Sequence, residues 1–423
     1  MNKAESQRVA DYLELSSYYP TPVLHNADLI VLNTCVVRQS AEDKVLGTLG
    51  YLKGLKDHNP DLSILVTGCF VDSRIEALRR QFPHVNLFFK PGEYRELLSW
   101  VQKRDVSISE AKILPKYNHL TPSVFVPIVQ GCNKYCSYCV VPYRRGREKS
   151  RSVEEIVCEI NEMTRLGVRE VTLLGQNVNS YGCDLSSHQD LCFLLTELNN
   201  IDRLARIRFL TSHPVDMSQK LIHTVAFLDK VCEHINLPIQ SGDDDILEAM
   251  RRGYTAEQYR QLVGIVRSYI PNVALSTDVI VGFPGETDEN FGRTLDLLED
   301  IKFDTVHVAA YSPRYGTIAS RKYEDDISPE VKKMRLKKIE ELQAEIAGEI
   351  NSRFQGKMVE ILVQDKKRGK WYGRTRSDKL VFFEDAADRM GQLVQVRIDR
   401  TSPWALQGKL NKTGVDLKTC LKK

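Results

Sequence analysis

The chain has 423 residues, 42% hydrophobic and 27% charged, the proportions of a folded globular protein rather than a disordered one. No stretch reaches the roughly 18 consecutive apolar residues of a membrane helix, and Met1-Asn2-Lys3-Ala4-Glu5-Ser6 lacks the apolar region of a signal peptide. The net charge of +3 hides an asymmetry: residues 353–423 carry 17 Lys and Arg against 8 Asp and Glu, while the first 352 residues sum to −6. A basic terminal segment on a mildly acidic body points to a polyanion, nucleic acid first, with a solvated basic face as the bland alternative. Ten cysteines are too sparse for a disulfide scaffold, and close-set ones in a reducing cytosol indicate metal or redox chemistry.

Residues 1–112 read as an open parallel α/β sheet domain. An amphipathic helix starts almost at Met1, with Val9, Ala10, Leu13 and Leu15 on its buried side. The short β-branched runs Leu29–Leu32 and Ile64–Val66 end in Asn33-Thr34-Cys35 and Thr67-Gly68-Cys69, as buried parallel strands should. Each places a cysteine just past the carboxyl end of its strand. Those ends share one edge of an open sheet, so Cys35 and Cys69 can meet across 34 residues.

From residue 118 to 350, strand and helix alternate. The strand candidates are Val124–Val129, Glu170–Leu174, Arg206–Leu210, His234–Ile239, Ala274–Val281 and Thr305–Ala310, with helices starting near Ser152, Asp190, Ser218, Thr255 and Thr287. Repeated βα units argue for a parallel barrel, and six units make it a partial, TIM-like (βα)6 barrel open on one side. Ser328-Pro329 caps a final charged helix. Residues 352–415 then change to short strands around Met358–Val363, Leu380–Phe383 and Leu393–Ile398, a small β-barrel with basic loops. Lys366, Lys367, Arg368, Lys370 and Arg374 are its candidate phosphate contacts.

The strongest chemical signal follows the first barrel strand: Gly131-Cys132-Asn133-Lys134-Tyr135-Cys136-Ser137-Tyr138-Cys139. Three thiolates this close on one loop can wrap a single compact centre, and three ligands to a four-iron cluster leave one iron open to substrate. Zinc is the rival metal, but a structural zinc site wants a fourth protein ligand, and this loop has none. Gln176, Asn177, Ser212, Gln240, Arg252 and Asp278 fall at or near strand C-terminal ends, the active face of such a barrel. Cys158, Cys183, Cys192, Cys232 and Cys420 lack ligand spacing and are expected to be buried structural thiols. The nine histidines form no hydrolytic zinc pattern.

The loop resembles that of the radical S-adenosylmethionine (SAM) superfamily, matched by Cys132, Cys136, Tyr138 and Cys139. The resemblance implies a [4Fe–4S] cluster on the three cysteines, SAM chelating the open iron, and cleavage of SAM to a 5′-deoxyadenosyl radical. Tyr138 would pack near the adenine, and the six barrel residues would line the SAM site. Further segments are similar to the methylthiotransferase branch: Val140-Val141-Pro142-Tyr143, Arg145-Gly146-Arg147-Glu148, Gly175–Asn179, Leu237–Gly242, Gly282–Thr287 and Tyr311–Arg314. In that branch the N-terminal domain holds a second [4Fe–4S] cluster, with Cys35 and Cys69 matching two of its three cysteines. The family's first cysteine belongs to a Gly-Cys-Gln-Met-Asn segment, whereas this sequence begins Met-Asn; the expectation is a truncated start and an incomplete auxiliary site.

The C-terminal segment resembles the TRAM domain, an RNA-binding β-barrel, through Trp371–Thr375 and Leu380–Phe383. A +9 domain attracts phosphates and repels a cationic protein. Together with Asn33–Arg38 and Ala41–Val45, this favours the branch that methylthiolates C2 of a prenylated adenosine beside the anticodon of tRNA. The alternatives are an aspartate of a ribosomal protein, threonylcarbamoyl-adenosine in tRNA, or an impaired iron–sulfur RNA-binding protein. The resemblance further implies a reducing partner such as flavodoxin or ferredoxin, a monomer, no membrane association and a cytoplasmic location.

Overall fold

The computed structural model describes residues 1–35, 39–71, 75–103 and 121–411. Val36–Arg38, Cys420 and the end of the segment predicted to reach residue 415 therefore lie outside the described residues. The chain forms two compact units: Met1–Asn118 with Gln130–Lys149 and Ser312–Lys322, and His119–Val129 with Ser150–Tyr311 and Tyr323–Lys423.

In the first unit, β1 (Leu29–Thr34), β2 (Ser63–Gly68) and β3 (Leu87–Phe88) form a parallel sheet in that order. Strand β2 is buried along its whole length, as a central parallel strand covered on both faces must be. One face packs Leu49, Leu52, Ile64, Val66 and Phe88; the other packs Val9, Leu65, Phe89 and Leu97. The first helix, Asn2–Leu15, buries Glu5 and Asp11 as well as Val9. Its low apolar content is offset by ion pairing of Glu5, described below.

The second unit contains six parallel strands, β4 (Ser123–Pro127), β5 (Glu170–Leu174), β6 (Arg206–Leu210), β7 (His234–Asn236), β8 (Ala274–Val281) and β9 (Thr305–Ala310). They pair as β4-β5-β6 and β7-β8-β9, and an isolated bridge between Ile207 and Val231 joins the halves. The partial (βα)6 barrel is thus the observed fold. Strand β7 stops at Asn236, short of the expected Ile239, because Pro238 has no N–H for a ladder. Each helix start expected from sequence is an N-cap: Ser152, Asp190, Ser218, Thr255, Thr287 and Ser328 all accept a bond from the first turn. Each such cap is worth about 1 kcal/mol.

The described residues end in a closed five-stranded barrel of β10 (Met358–Lys367), β11 (Lys370–Arg374), β12 (Leu380–Glu384), β13 (Leu393–Thr401) and β14 (Leu406–Leu410). Ile361, Val363, Val381, Phe383, Val396 and Ile398 fill it. Strands β11 and β14 escape the sequence pattern because each carries a mid-strand glycine. At Gly408 a Cβ would lie 2.2 Å from the Arg397 carbonyl oxygen, so the closing strand can approach only without a side chain.

The small barrel is fastened to the N-terminal ends of the large barrel's strands by buried charge. Arg208 Nε donates to Glu170 Oε2 at 3.0 Å, and its other nitrogens donate to the Thr375 and Arg376 carbonyls at 2.6 and 2.8 Å. Arg206 donates to the carbonyl of Arg374 and to Glu360, Arg376 pairs with Glu233, and Lys379 pairs with Asp304. Among these groups His234 is buried, and desolvation holds its pKa down at about 4. The unfolded chain therefore binds the proton first, near its ordinary pH of about 6.5. Stability is complete above that pH and falls as pH drops toward 4, by up to about 1.4 kcal/mol per unit. His234→Gln should flatten that slope in urea titrations at pH 7 and 5; parallel slopes would refute the assignment. Among the described residues no helix is long and apolar enough to cross a membrane.

Candidate functional site

All five cysteines singled out as metal ligands belong to the first unit. The parallel register pairs Thr34 with Gly68, so Cys35 and Cys69 each stand one residue past paired strand ends. Cys69 N donates to the Thr34 carbonyl at 3.0 Å. Cys35 is exposed and Cys69 buried. Burial pushes the Cys69 thiol up, and the adjacent Arg145 guanidinium pulls it back down.

Arg145 reaches Cys69 from the short helix Val141–Arg145, which follows the cysteine loop. Its Nε lies 3.3 Å from Cys69 Sγ, while its other nitrogens bond Glu5 at 2.8 and 3.3 Å and Asn2 Oδ1 at 3.0 Å. Its side chain is 3% exposed. In sequence Arg145 stands only as a member of a motif; its partners lie 76 and 140 residues away and share no periodicity with it.

The cysteine loop is held at both ends. Gly131 takes a φ of +84°, and a Cβ there would meet the Arg147 carbonyl oxygen at 2.1 Å. Cys132 N donates to the Gly146 carbonyl at 3.2 Å, and Asn133 and Glu148 exchange backbone and side-chain hydrogen bonds. Cys139 N donates to the Cys136 carbonyl at 3.0 Å, closing a turn, and Ala319 N donates to the Ser137 carbonyl at 2.7 Å. Tyr138 lies inside this turn, in the first unit. Burial pushes the Cys132 thiol up to about 11, so its thiolate requires a compensating cation. Among the described residues no three Cys, His, Asp or Glu side chains converge on a single metal ion. The donor set, three soft thiols on one anchored loop, suits a multi-iron centre with its own bridging sulfides.

The second unit gathers the other predicted residues at the strand C-terminal ends. Asn236 Nδ2 donates to Asp278 Oδ2 at 3.2 Å, the Asn236 carbonyl accepts from Ser212 N at 3.2 Å, and Gln240 N donates to the Asp278 carbonyl at 2.9 Å. Asn177 Nδ2 donates to Asp216 at 2.6 Å, and Val178 N, next along the chain, donates to the Thr211 carbonyl. Arg252 donates to Tyr254 Oη at 2.8 Å and the Pro238 carbonyl at 2.9 Å. Gln176 occupies the turn just past β5, half-buried. Among the described residues Asn177 Oδ1 and Ser212 Oγ are buried with no hydrogen-bond partner, the mark of a site awaiting a polar ligand. Thr211 and Gln240 hold φ of +72° and +75°, strain that clusters where a ligand is clamped. That strain was not legible in sequence, since neither residue is glycine. These features make the open end of the barrel a place for a polar ligand.

The thiols without ligand spacing divide. Cys192 and Cys232 are buried as expected, but Cys158 and Cys183 are exposed. Helix Val153–Arg165 turns Val153, Ile156, Ile160 and Met163 inward, which leaves Cys158 on its outer face. Of the basic residues predicted to meet RNA, Lys366, Lys367 and Arg368 are exposed at the β10–β11 hairpin. Lys366 lies over Trp371, Lys370 pairs with Glu384 at 3.2 Å, and Arg374 pairs with Asp378 at 3.2 Å.

Comparison with known proteins matches residues 126–298 to the radical SAM superfamily, 1–90 to the uncharacterized protein family UPF0004 and 352–410 to the TRAM domain. Among solved structures, the radical S-adenosylmethionine methyltransferase TsrM from Kitasatospora setae superposes with a TM-score of 0.53 at 15% identity, covering 74% of this chain and 68% of that one. Fold and cysteine loop together define a radical SAM enzyme carrying a TRAM barrel. A tRNA-2-methylthio-N(6)-dimethylallyladenosine synthase of Dehalococcoides mccartyi (strain CBDB1) is 50% identical over 412 residues, 97% of this chain and 96% of the relative. One from Chloroflexus aurantiacus is 44% identical over 413 residues, 96% and 89% of the two chains. The chain belongs to this family of radical SAM methylthiotransferases.

Proposed function

We propose that the protein adds a methylthio group to C2 of N6-dimethylallyladenosine beside the anticodon of tRNA. The observation that carries this is near-full-length identity of 50% to a relative bearing that activity in its name, with the Cys132/Cys136/Cys139 loop intact. The two [4Fe–4S] clusters and SAM, when bound, supply the one-electron chemistry that exchanges an inert aromatic C–H for a C–S bond.

The chain's own residues hold and orient. Cys132, Cys136 and Cys139 present three thiolates from a loop fixed by Gly131 and by the Asn133–Glu148 pair. Cys35 and Cys69 serve the auxiliary cluster, with Arg145 neutralising the Cys69 thiolate. Tyr138 meets the adenine of SAM. Gln176, Asn177, Ser212, Gln240, Arg252 and Asp278 supply polar contacts to SAM. Lys366, Lys367 and Arg368 bring the TRAM barrel to RNA phosphates, while Lys370 and Arg374 are held by Glu384 and Asp378. The division into segments 1–112, 118–350 and 352–415 follows these roles. The same reading has a cytoplasmic monomer reduced by a flavodoxin or ferredoxin.

Mass spectrometry of tRNA nucleosides from a deletion strain tests the substrate. Loss of methylthio from the prenylated adenosine, restored by this chain in trans, is expected. Loss from threonylcarbamoyl-adenosine, or from a ribosomal protein alone, would transfer the assignment to those substrates. Unchanged tRNA and protein would leave the impaired RNA-binding reading.

A further inference from the structure

Three features of the small barrel lie on or beside one hairpin. Strands β13 and β14 place Arg397 directly opposite Lys409, and both side chains are exposed. Like charges opposed across a strand pair destabilise it. Neither side chain makes a hydrogen bond or ion pair with any described residue, and neither do the side chains of the neighbouring Arg400 and Lys357. The nearby carboxylates are committed elsewhere: Glu384, beside Lys409 in the register, bonds Lys370 at 3.2 Å, and Glu360 bonds the buried Arg206 at 3.0 Å. Asp399, at the bulge between Ile398 and Arg400, makes no ion pair with either arginine among the described residues.

The second feature is Trp404, 66% exposed at the turn that closes this hairpin. Burying that ring elsewhere would be favourable, yet the turn is fixed so as to present it. The buried Asn351 donates to the Ser402 and Pro403 carbonyls at 2.8 and 3.0 Å, and Ser402 N donates to the Ala405 carbonyl at 3.0 Å. The third is the row itself: Met358, Arg397 and Lys409 are cross-strand neighbours on one outer face, all exposed.

We propose that the β13–β14 hairpin is an RNA-binding surface, with Arg397, Lys409 and Arg400 on consecutive phosphates and Trp404 as a stacking platform for an unpaired base. The proposal rests on the tRNA reading above and names a surface on the far side of the TRAM barrel's sequence from the basic hairpin recognised first. There, Lys370 and Arg374 are already paired within the protein. Cations held in mutual repulsion, with no ion pair among the described residues, are stabilised by an added polyanion, and a rigid exposed indole serves RNA bases of any identity.

The test is fluorescence anisotropy of the full chain with labelled tRNA carrying N6-dimethylallyladenosine, from about 50 to about 200 mM salt. R397Q/K409Q should weaken binding about tenfold or more at low salt and flatten the log–log salt slope by about 1.5–2. W404A should weaken it about fivefold or more with the salt slope unchanged, because stacking carries no charge. The thermal midpoint of R397Q/K409Q should not fall, since a repulsive pair is removed. The charge-matched K333Q/K338Q variant, at exposed positions on the helix Pro329–Ser352, separates site from net charge. A loss in K333Q/K338Q equal to or larger than that in R397Q/K409Q would overturn the proposal, as would wild-type affinity in R397Q/K409Q. A wild-type chain that fails to bind this tRNA would overturn the tRNA reading as well.

Discussion

Serine at Cys136 is expected to remove about four irons from the anaerobically reconstituted full chain and to reduce methylthio transfer to background. Cys136 is buried, and its carbonyl anchors the turn through Cys139 N at 3.0 Å. Serine keeps that backbone bond and nearly the same volume, so the loop should retain its course. What is lost is a soft thiolate, and a hydroxyl is a poor substitute as an iron ligand. Cys158→Ser, on the exposed face of helix Val153–Arg165, is the matched control and should keep full iron and activity. Iron and sulfide assays with the visible thiolate-to-iron absorption decide the matter. Equal iron in the two variants would remove Cys136 from the cluster and return the loop to a structural role.

Much of the barrel was legible because its signals are local. A Ser, Thr or Asp before an apolar-periodic run marks a helix start whatever the tertiary context, and Ser152, Asp190, Ser218, Thr255 and Thr287 all cap as read. The parallel strands announced themselves as short β-branched runs, and their shared edge placed Cys35 next to Cys69. Strand β3, two residues long, is below the length at which alternation or run length carries information. Strand β14 was hidden by Gly408, whose reason is a backbone contact 11 residues distant in sequence. Arg145 with Glu5, and Arg208 with Glu170, were illegible for the same physical cause. A buried ion pair is specified by the fold that brings its members together, not by spacing along the chain. In sequence the TRAM segment's positive charge is a single sum, which points to phosphate without saying which cations are available. The structure divides it: Arg376, Arg374 and Lys379 are spent on protein contacts, leaving fewer cations for a ligand.

Replacing Arg208 by methionine should therefore cost the second unit about 3–5 kcal/mol, the usual loss when one member of a buried pair is removed. The Arg208 side chain is 4% exposed and that of Glu170 is 2% exposed. Without the guanidinium, the Glu170 carboxylate retains, among the described residues, Ser123 Oγ at 2.8 Å and Gln364 Nε2 at 3.5 Å. The Thr375 and Arg376 carbonyls lose donors at the same time. Those carbonyls belong to the small barrel, so the variant should loosen its attachment before it unfolds either barrel. Urea denaturation should show a lowered midpoint, and limited proteolysis should release a fragment beginning near the helix Pro329–Ser352. Adding Glu170→Gln to R208M removes the uncompensated carboxylate and should restore part of the loss, because a neutral amide is less costly to bury. A loss under about 1 kcal/mol in R208M would place the pair with exposed salt bridges. An unimproved double variant would assign the stabilisation to the two carbonyl bonds rather than to charge. The barrel's N-terminal face is thus where stability and substrate presentation meet: the groups that fasten the TRAM barrel also fix where its remaining cations can meet RNA.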